Sequence, residues 1–344
     1  MPLMHDQLDD FVNLTLDRFE RKNWVDISLD LQHYIFASNA FKKNKDPEAG
    51  GVRLNWKVQV TNTGTFKDSE LYGVDTTGVK DLMKKATQEW SKQTVNFKYD
   101  IDEEIFQSDA ETIIKEISVR NHSMHNDFFD GMEVRMWTAP TSSTQSPRPP
   151  SGIPFWLQQS STAAFGFNGG DPAGFADGAG GIDSDTYKNW RNGTFTYNTV
   201  SDDDLLTKWA EACEKCYFRA PHSFRQHFYT VDSVWDECQK LLRASNDNLG
   251  NDLGSFRGAV VFKGNVLSWV PALTEPDNDA YDANDPLYGI DWSTIEYKFQ
   301  KNRNMIRHRP IQAPGQHTVR EVHMDNWGNF RCLNRRRNFV GRKA

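Results

Sequence analysis

Residues 102–138 read DEEIFQSDAETIIKEISVRNHSMHNDFFDGMEVRMWT, and this stretch decides the fold. It has no proline, and its one glycine, Gly131, comes near the end. Apolar side chains recur at Ile105/Phe106, Ile113, Ile117, Met124, Phe128 and Met132. Intervals of four and seven are the period of one buried stripe on an α-helix. Asp102, Glu103 and Glu104 crowd the start, where the helix dipole favours negative charge. Such a helix is about 50 Å long at roughly 1.5 Å per residue. The average globular helix has only about 11–12 residues, so this one reads as a beam, an architectural part before a catalytic one. The polar triplet Asn121-His122-Ser123 is where a bend is expected.

Upstream, residues 52–62 alternate through Val52, Leu54, Trp56, Val58 and Val60, the pattern of a strand with one buried face. A second strand is expected at 94–99, running directly into the beam. The polar stretch between them, 63–92, carries Gly64, Gly73 and Gly78, and the whole reads as a projecting hairpin. Further upstream, Leu8, Phe11, Val12, Leu16 and Phe19 mark a short amphipathic helix over 6–22. A polar linker, KKNKDPEAGG, closes residues 42–51. The first fifty residues therefore read as an arm whose apolar stripe must find a partner elsewhere, such as another subunit.

Downstream, residues 139–152 hold four Pro and four Ser, an extended and exposed composition. Residues 166–193 hold eight glycines and predict an irregular loop. Helices are expected at 201–218, with Ser201 as N-cap, and at 231–244. A strand is expected at 224–230. Lys263-Gly264-Asn265 between two short apolar runs signals a hairpin. The last strands fall within 288–302 and 318–334.

The 344 residues are 38% hydrophobic and 25% charged, enough for two or three domains with real cores. No apolar run is long enough to span a bilayer. The acidic start MPLMHDQLDD lacks the apolar core of a signal peptide, so a cytoplasmic protein with four reduced cysteines is expected. The net charge of −7 is uneven. Residues 301–344 carry eleven Lys/Arg against Glu321 and Asp325, a net of +9 that leaves −16 to the rest. A basic end on an acidic body hints at a polyanion on one side of the assembled protein.

The chemical motifs are weak. Cys213 and Cys216 form a C-x-x-C with His222 and His227 downstream, which zinc could use. Both cysteines fall inside a predicted helix, however, where they read as small core thiols. His122 and His125 read as a polar band on the beam, and Asp183-Ser184-Asp185 lacks the further oxygens of a calcium loop. There is no Walker loop, G-x-S-x-G or H-E-x-x-H. No catalytic, cofactor-binding or metal residue is assigned. The eleven Trp and twenty-two Phe are scattered through every element, which suits packing and subunit contacts.

The order of parts resembles the major capsid protein of tailed bacteriophages. So do local residues: GGIDSDTYKNWRN at 180–192, Tyr99-Asp100 through Glu103 leading into the beam, and Leu287-Tyr288-Gly289-Ile290-Asp291. The resemblance implies an α+β capsid fold with an N-terminal arm (1–51) and an extended loop (52–98). It implies a peripheral domain with the spine helix and following linker (99–154), and an axial domain (155–270) with a boundary helix near 201–218. Residues 271–344 would return as strands of the peripheral domain and a basic C-terminal end. It further implies hexamers and pentamers of this chain closing an icosahedral shell around double-stranded DNA. Scaffolding, portal and decoration proteins are the other implied partners, with no membrane and no cofactor. The implied location is the virion capsid, with the host cytoplasm during assembly. Arm contacts between subunits are expected from Phe11, Val12, Leu16, Phe19 and Trp24. Extended-loop contacts are expected from Trp56, Phe66, Tyr72 and Trp90, and DNA-facing charge from Arg335, Arg336, Arg337, Arg342 and Lys343. The alternatives are an encapsulin-like nanocompartment shell, which shares the fold, and a metal-dependent hydrolase.

Overall fold

The computed structural model describes residues 35–41, 47–48, 51–64, 66–68, 70, 81–102, 110–216, 226–244 and 260–344. The beam is a continuous helix, α1 (Ala110–Met136), of 27 residues. That is about 40 Å at 1.5 Å per residue. It runs through Asn121-His122-Ser123 without interruption. Glu103, Glu104, Ile105 and Phe106 lie outside the described residues.

A six-stranded sheet gathers around β13 (Val319–Cys332). On one side β13 pairs antiparallel with β4 (Ser91–Asp100), from Val319 opposite Asp100 to Gly328 opposite Ser91. On the other side it pairs in turn with β12 (Ile311–Gln312), β11 (Ile306–Arg307) and β10 (Ile295–Gln300). A two-residue strand, β1 (Pro47–Glu48), adds to β10 in parallel. The helix α1 follows β4 and packs on this sheet, where Ile117 meets Tyr99 and Val322.

A second six-stranded sheet runs in the order β5 (Gly193–Tyr197), β14 (Phe339–Lys343), β9 (Leu287–Ile290), β6 (His227–Thr230), β8 (Asn265–Trp269), β7 (Val260–Phe262). Helices α2 (Thr207–Cys216) and α3 (Asp232–Ala244) accompany it, and Trp209 of α2 stacks on Phe262 with ring centroids 4.0 Å apart. Lys263 and Gly264 join β7 to β8 with φ of 47° and 83°, the double positive φ of a two-residue hairpin turn. Ser201 makes no side-chain cap; instead Asp204 Oδ2 accepts the backbone N–H groups of Asn198 and Thr199.

The strand β14 is central to this second sheet, parallel to β5 and antiparallel to β9. Residues 271–344 therefore divide between the two sheets instead of returning to one. The basic end is no tail: its backbone completes a sheet.

A third, two-stranded sheet joins β2 (Arg53–Gln59) to β3 (Met83–Glu89). The strand at 94–99 was expected to close this hairpin, but it belongs to the first sheet as part of β4. The sequence MKKATQE conceals β3 because its inward residues are Ala86 and Gln88, which carry no apolar alternation.

Candidate assembly surfaces and the centres that position them

The stripe of α1 is less apolar than its sequence suggests. Met124, Phe128, Phe129, Met132 and Met136 are buried, but so are Asn121, His125 and Glu133. Glu133 Oε2 accepts the backbone N–H of Phe36 at 2.7 Å, and Oε1 accepts Trp137 Nε1–H at 3.2 Å. Burial outweighs these hydrogen bonds and pushes the Glu133 carboxyl up to about 7. Next to this contact, Phe36 packs edge-on to Tyr297 (5.1 Å) and Phe330 (6.0 Å), and Phe41 edge-on to Phe129 (5.6 Å). The expectation that the whole arm seeks another subunit is corrected for its root: residues 36–41 are held by their own chain. Phe11, Val12, Leu16, Phe19 and Trp24 lie outside the described residues.

Further along α1, burial lowers the His125 imidazole to about 4, helped by the charge of Arg307 and by His122. The amide of Asn121 is fully buried, and neither of its polar atoms has a hydrogen-bond partner among the described residues.

The glycine-rich segment is ordered by one buried cation. Arg335 Nε donates to Trp156 O at 2.6 Å, and Nη2 donates to Gly170 O (2.8 Å) and Asn192 Oδ1 (3.2 Å). Asp171 stands 3.9 Å from Nη1. Burial lowers the guanidinium to about 10, which leaves it charged at neutral pH. Asn192 Oδ1 also accepts the N–H of Gln158, and Nδ2 donates to Gln158 O. Gly169 lies so close that a Cβ there would stand 1.9 Å from Asn192 Oδ1. A side chain at Gly178 would meet Ile182 O at 2.3 Å and a φ of 78° besides. The irregular loop is thus a tight wrap around Asn192 and Arg335.

Arg335 is accordingly removed from the DNA-facing set: it is completely buried and spends its donors inside the fold. Sequence reasoning missed this because three adjacent arginines look alike on paper. Arg336 lies over the Phe167 ring at 3.9 Å and donates to Asn189 Oδ1. Arg337 faces Asp291 at 3.7 Å, and Lys343 pairs with Asp285 at 3.1 Å. Arg342 is half-buried on β14.

The β2–β3 ribbon turns one face outward. Arg53 pairs with Glu89 at 3.1 Å, but Lys57 stands directly opposite Lys85, both exposed. Like charges facing each other weaken an isolated ribbon. Phe66 is 93% exposed and Val52 92%. Trp56 points the other way and packs on Trp156 at 6.0 Å, so its contact lies within the chain. Trp90 Nε1 donates to Gly51 O. Tyr72 lies outside the described residues.

The two cysteines of the C-x-x-C lie inside the fold. Burial raises the Cys213 thiol to about 12 and pushes the Cys216 thiol well up too. Such thiols are packing groups, not nucleophiles or ready ligands. Cys238 and Cys332 are likewise buried and free. His227 is exposed, and His222 lies outside the described residues. Asp183 accepts Asp185 N–H and Thr186 Oγ1–H, the bonds of a local turn. Among the described residues, no three His, Cys, Asp or Glu side chains gather as a metal set, and no helix is long and apolar enough to cross a membrane.

A long helix on a β13-centred sheet, a second sheet completed by β14 and a separate two-stranded ribbon make up an α+β architecture. The chain matches the cyanophage A-1(L) capsid with a TM-score of 0.58 at 13% identity, over 90% of this chain and 92% of that one. It matches the capsid of the native GTA particle with a TM-score of 0.52 at 12% identity, over 86% of each chain. The capsid of Myoviridae phage XM1 matches with a TM-score of 0.50 at 8% identity, over 86% of this chain and 87% of that one. No protein-family model matches the sequence, and no curated protein matches it either. The fold is that of the major capsid proteins of tailed phages.

Proposed function

We propose that this chain is a structural, non-enzymatic shell subunit. Its copies assemble into hexamers and pentamers that close an icosahedral capsid around double-stranded DNA. The observation that carries the reading is the capsid fold over nine-tenths of the chain. Two features support it. The β2–β3 ribbon has only two strands and an outward face with Lys57, Lys85 and Met83, and Phe66 in the connection beyond β2 is exposed, a poor arrangement for an isolated molecule. A neighbouring copy that covered this face would bury the apolar groups and dilute the like charges. Second, the larger of the two core clusters among the described residues holds Phe36 and Phe41, so the arm leaves from a fixed point.

In this reading, α1 with the first sheet is the peripheral domain, the second sheet is the axial domain, and the β2–β3 ribbon is the extended loop. The location is the virion capsid, reached from the host cytoplasm. Scaffolding, portal and decoration proteins are the further partners.

Light scattering and negative-stain microscopy of purified protein, with and without co-expressed scaffold, test the reading. Closed shells or capsomers are expected. Monomers alone at high concentration in both conditions would overturn it. Shells filled with a protein cargo and free of DNA would move the chain to the nanocompartment class.

A further inference from the structure

The charge imbalance of residues 301–344 resolves into two parts with different fates. In the C-terminal part, Arg335 is internal, Arg337 and Lys343 have acidic partners, and Arg336 lies on a ring. The other part is residues 301–320, KNRNMIRHRPIQAPGQHTVR, with five Lys/Arg, two His and no Asp or Glu.

Topology draws this segment out in a line. It leaves β10, and Arg303 O accepts the N–H of Trp327. It then pairs through β11 with Asp325 and Met324, and through β12 with Glu321 and Arg320. Ala313 N–H finally donates to Val319 O. The segment therefore follows β13 from residue 327 to 319 along the side opposite β4. At about 3.4 Å per residue the edge is roughly 27 Å long.

Lys301, Arg303, Arg309 and His317 are exposed on it. The nearby carboxylates are already matched. Asp325 holds Lys92 at 3.0 Å and His308 at 3.2 Å, and Glu321 holds Lys98 at 2.6 Å and His323 at 3.3 Å. Glu48, beside Lys301, faces Arg331 at 3.8 Å. Lys301, Arg303 and Arg309 are left without an ion pair among the described residues.

We propose that this edge, residues 301–317, is a contact surface for the phosphate backbone of double-stranded DNA. The assignment rests on the reading of the chain as a shell around DNA. A row of unpaired cations matches a linear polyanion, since a duplex presents about one negative charge per 1.7 Å of axis. A protein partner would call for an apolar centre. Here Ile311 is the one large apolar side chain exposed along the segment.

The test is fluorescence anisotropy of a labelled duplex of about 30 base pairs, titrated with unassembled protein between 50 and 200 mM salt. Two variants are compared with the parent chain: Lys301→Gln/Arg303→Gln/Arg309→Gln, and Arg336→Gln/Arg337→Gln as a control of similar kind. Thermal melting checks that both are folded. The first is expected to bind at least about tenfold more weakly at 50 mM salt, with a log–log salt slope shallower by about 2–3. The control is expected to stay within about threefold of the parent. Unchanged binding by the triple variant, an equal loss in the control, or no binding by the parent chain would overturn the assignment. A triple variant that binds DNA normally but no longer forms particles would give the edge to an acidic protein surface instead. If the parent chain binds as expected but never forms particles, the shell reading falls and the edge assignment stands.

Discussion

Arg335 Nη2 donates to Asn192 Oδ1 at 3.2 Å, across 143 residues of chain. This bond ties the end of the GGID…WRN stretch to the turn that leads into β14. Arg335→Ala would strand the carbonyls of Trp156 and Gly170 and one lone pair of Asn192. Each buried acceptor left alone costs about 1–3 kcal/mol. The expected loss is about 3–5 kcal/mol, read as a large fall in Tm or in soluble yield. Arg336→Ala, next door, removes a cation over a ring and a bond to Asn189, and is expected to cost about 1 kcal/mol. Equal effects would mean that the buried centre does not organise the loop.

Two buried groups on α1 predict opposing pH dependences. Glu133 has a folded pKa of about 7 against an ordinary 4.5. The folded state thus keeps a proton that the unfolded chain has released, and stability falls as pH rises from 4.5 to 7, by about 3 kcal/mol. His125 has a folded pKa of about 4 against 6.5. There the unfolded chain holds the extra proton, and stability falls as pH drops from 6.5 to 4, by a similar amount. Between pH 4.5 and 6.5 the two slopes largely cancel. Glu133→Gln is expected to unmask the histidine slope, a Tm that drops on acidification. His125→Gln is expected to unmask the carboxyl slope, a Tm that drops towards neutrality. Parallel Tm–pH curves in parent and both variants would refute the assignment.

How much of this was legible in the sequence depends on what each residue faces. The stripe Ile117, Met124, Phe128, Met132 is visible because apolar side chains at helical spacing have few other uses, and the Lys263-Gly264 turn because its backbone needs positive φ. The strand β3 was invisible because it buries Ala86 and Gln88, one too small and one too polar to mark a face. Asn121, His125 and Glu133 are polar in sequence yet lie on the buried face: Glu133 accepts two hydrogen bonds there, burial favours the neutral form of His125, and the Asn121 amide has no hydrogen-bond partner among the described residues. Arg335 differs from Arg336 only in what folds over it, namely the turn at Trp156 and the loop at Gly170. Long-range partners of that kind leave no local signature.

The close approach of Gly169 to Asn192 gives a sharper steric test. A methyl group there would stand 1.9 Å from Asn192 Oδ1 and must displace an amide that also holds Gln158 and Arg335. Gly169→Ala is expected to cost at least about 2 kcal/mol, seen in thermal melting. Gly170→Ala, where nothing lies within 4 Å of the added carbon, is the matched comparison and should change Tm little. Indistinguishable melting of the two would show that the loop has room to yield.

The β2–β3 ribbon separates folding from assembly in one pair of variants. Trp56 is buried against Trp156, so Trp56→Ala removes packing within the subunit and is expected to cost about 3–5 kcal/mol, lowering Tm. Phe66 is exposed in the single chain, and a surface substitution there changes stability by no more than about 0.5 kcal/mol. If Phe66 inserts into a neighbouring copy, Phe66→Ser leaves the Tm of the unassembled subunit unchanged and lowers the yield of closed particles several-fold in sedimentation or light scattering. The dependence on salt separates its contribution from that of Lys57 and Lys85. An apolar anchor persists at high ionic strength, whereas an attraction of exposed lysines for a neighbour fades within a Debye length of about 8–10 Å. Parent-level particle yield from Phe66→Ser at both low and high salt would remove Phe66 from the contact between subunits.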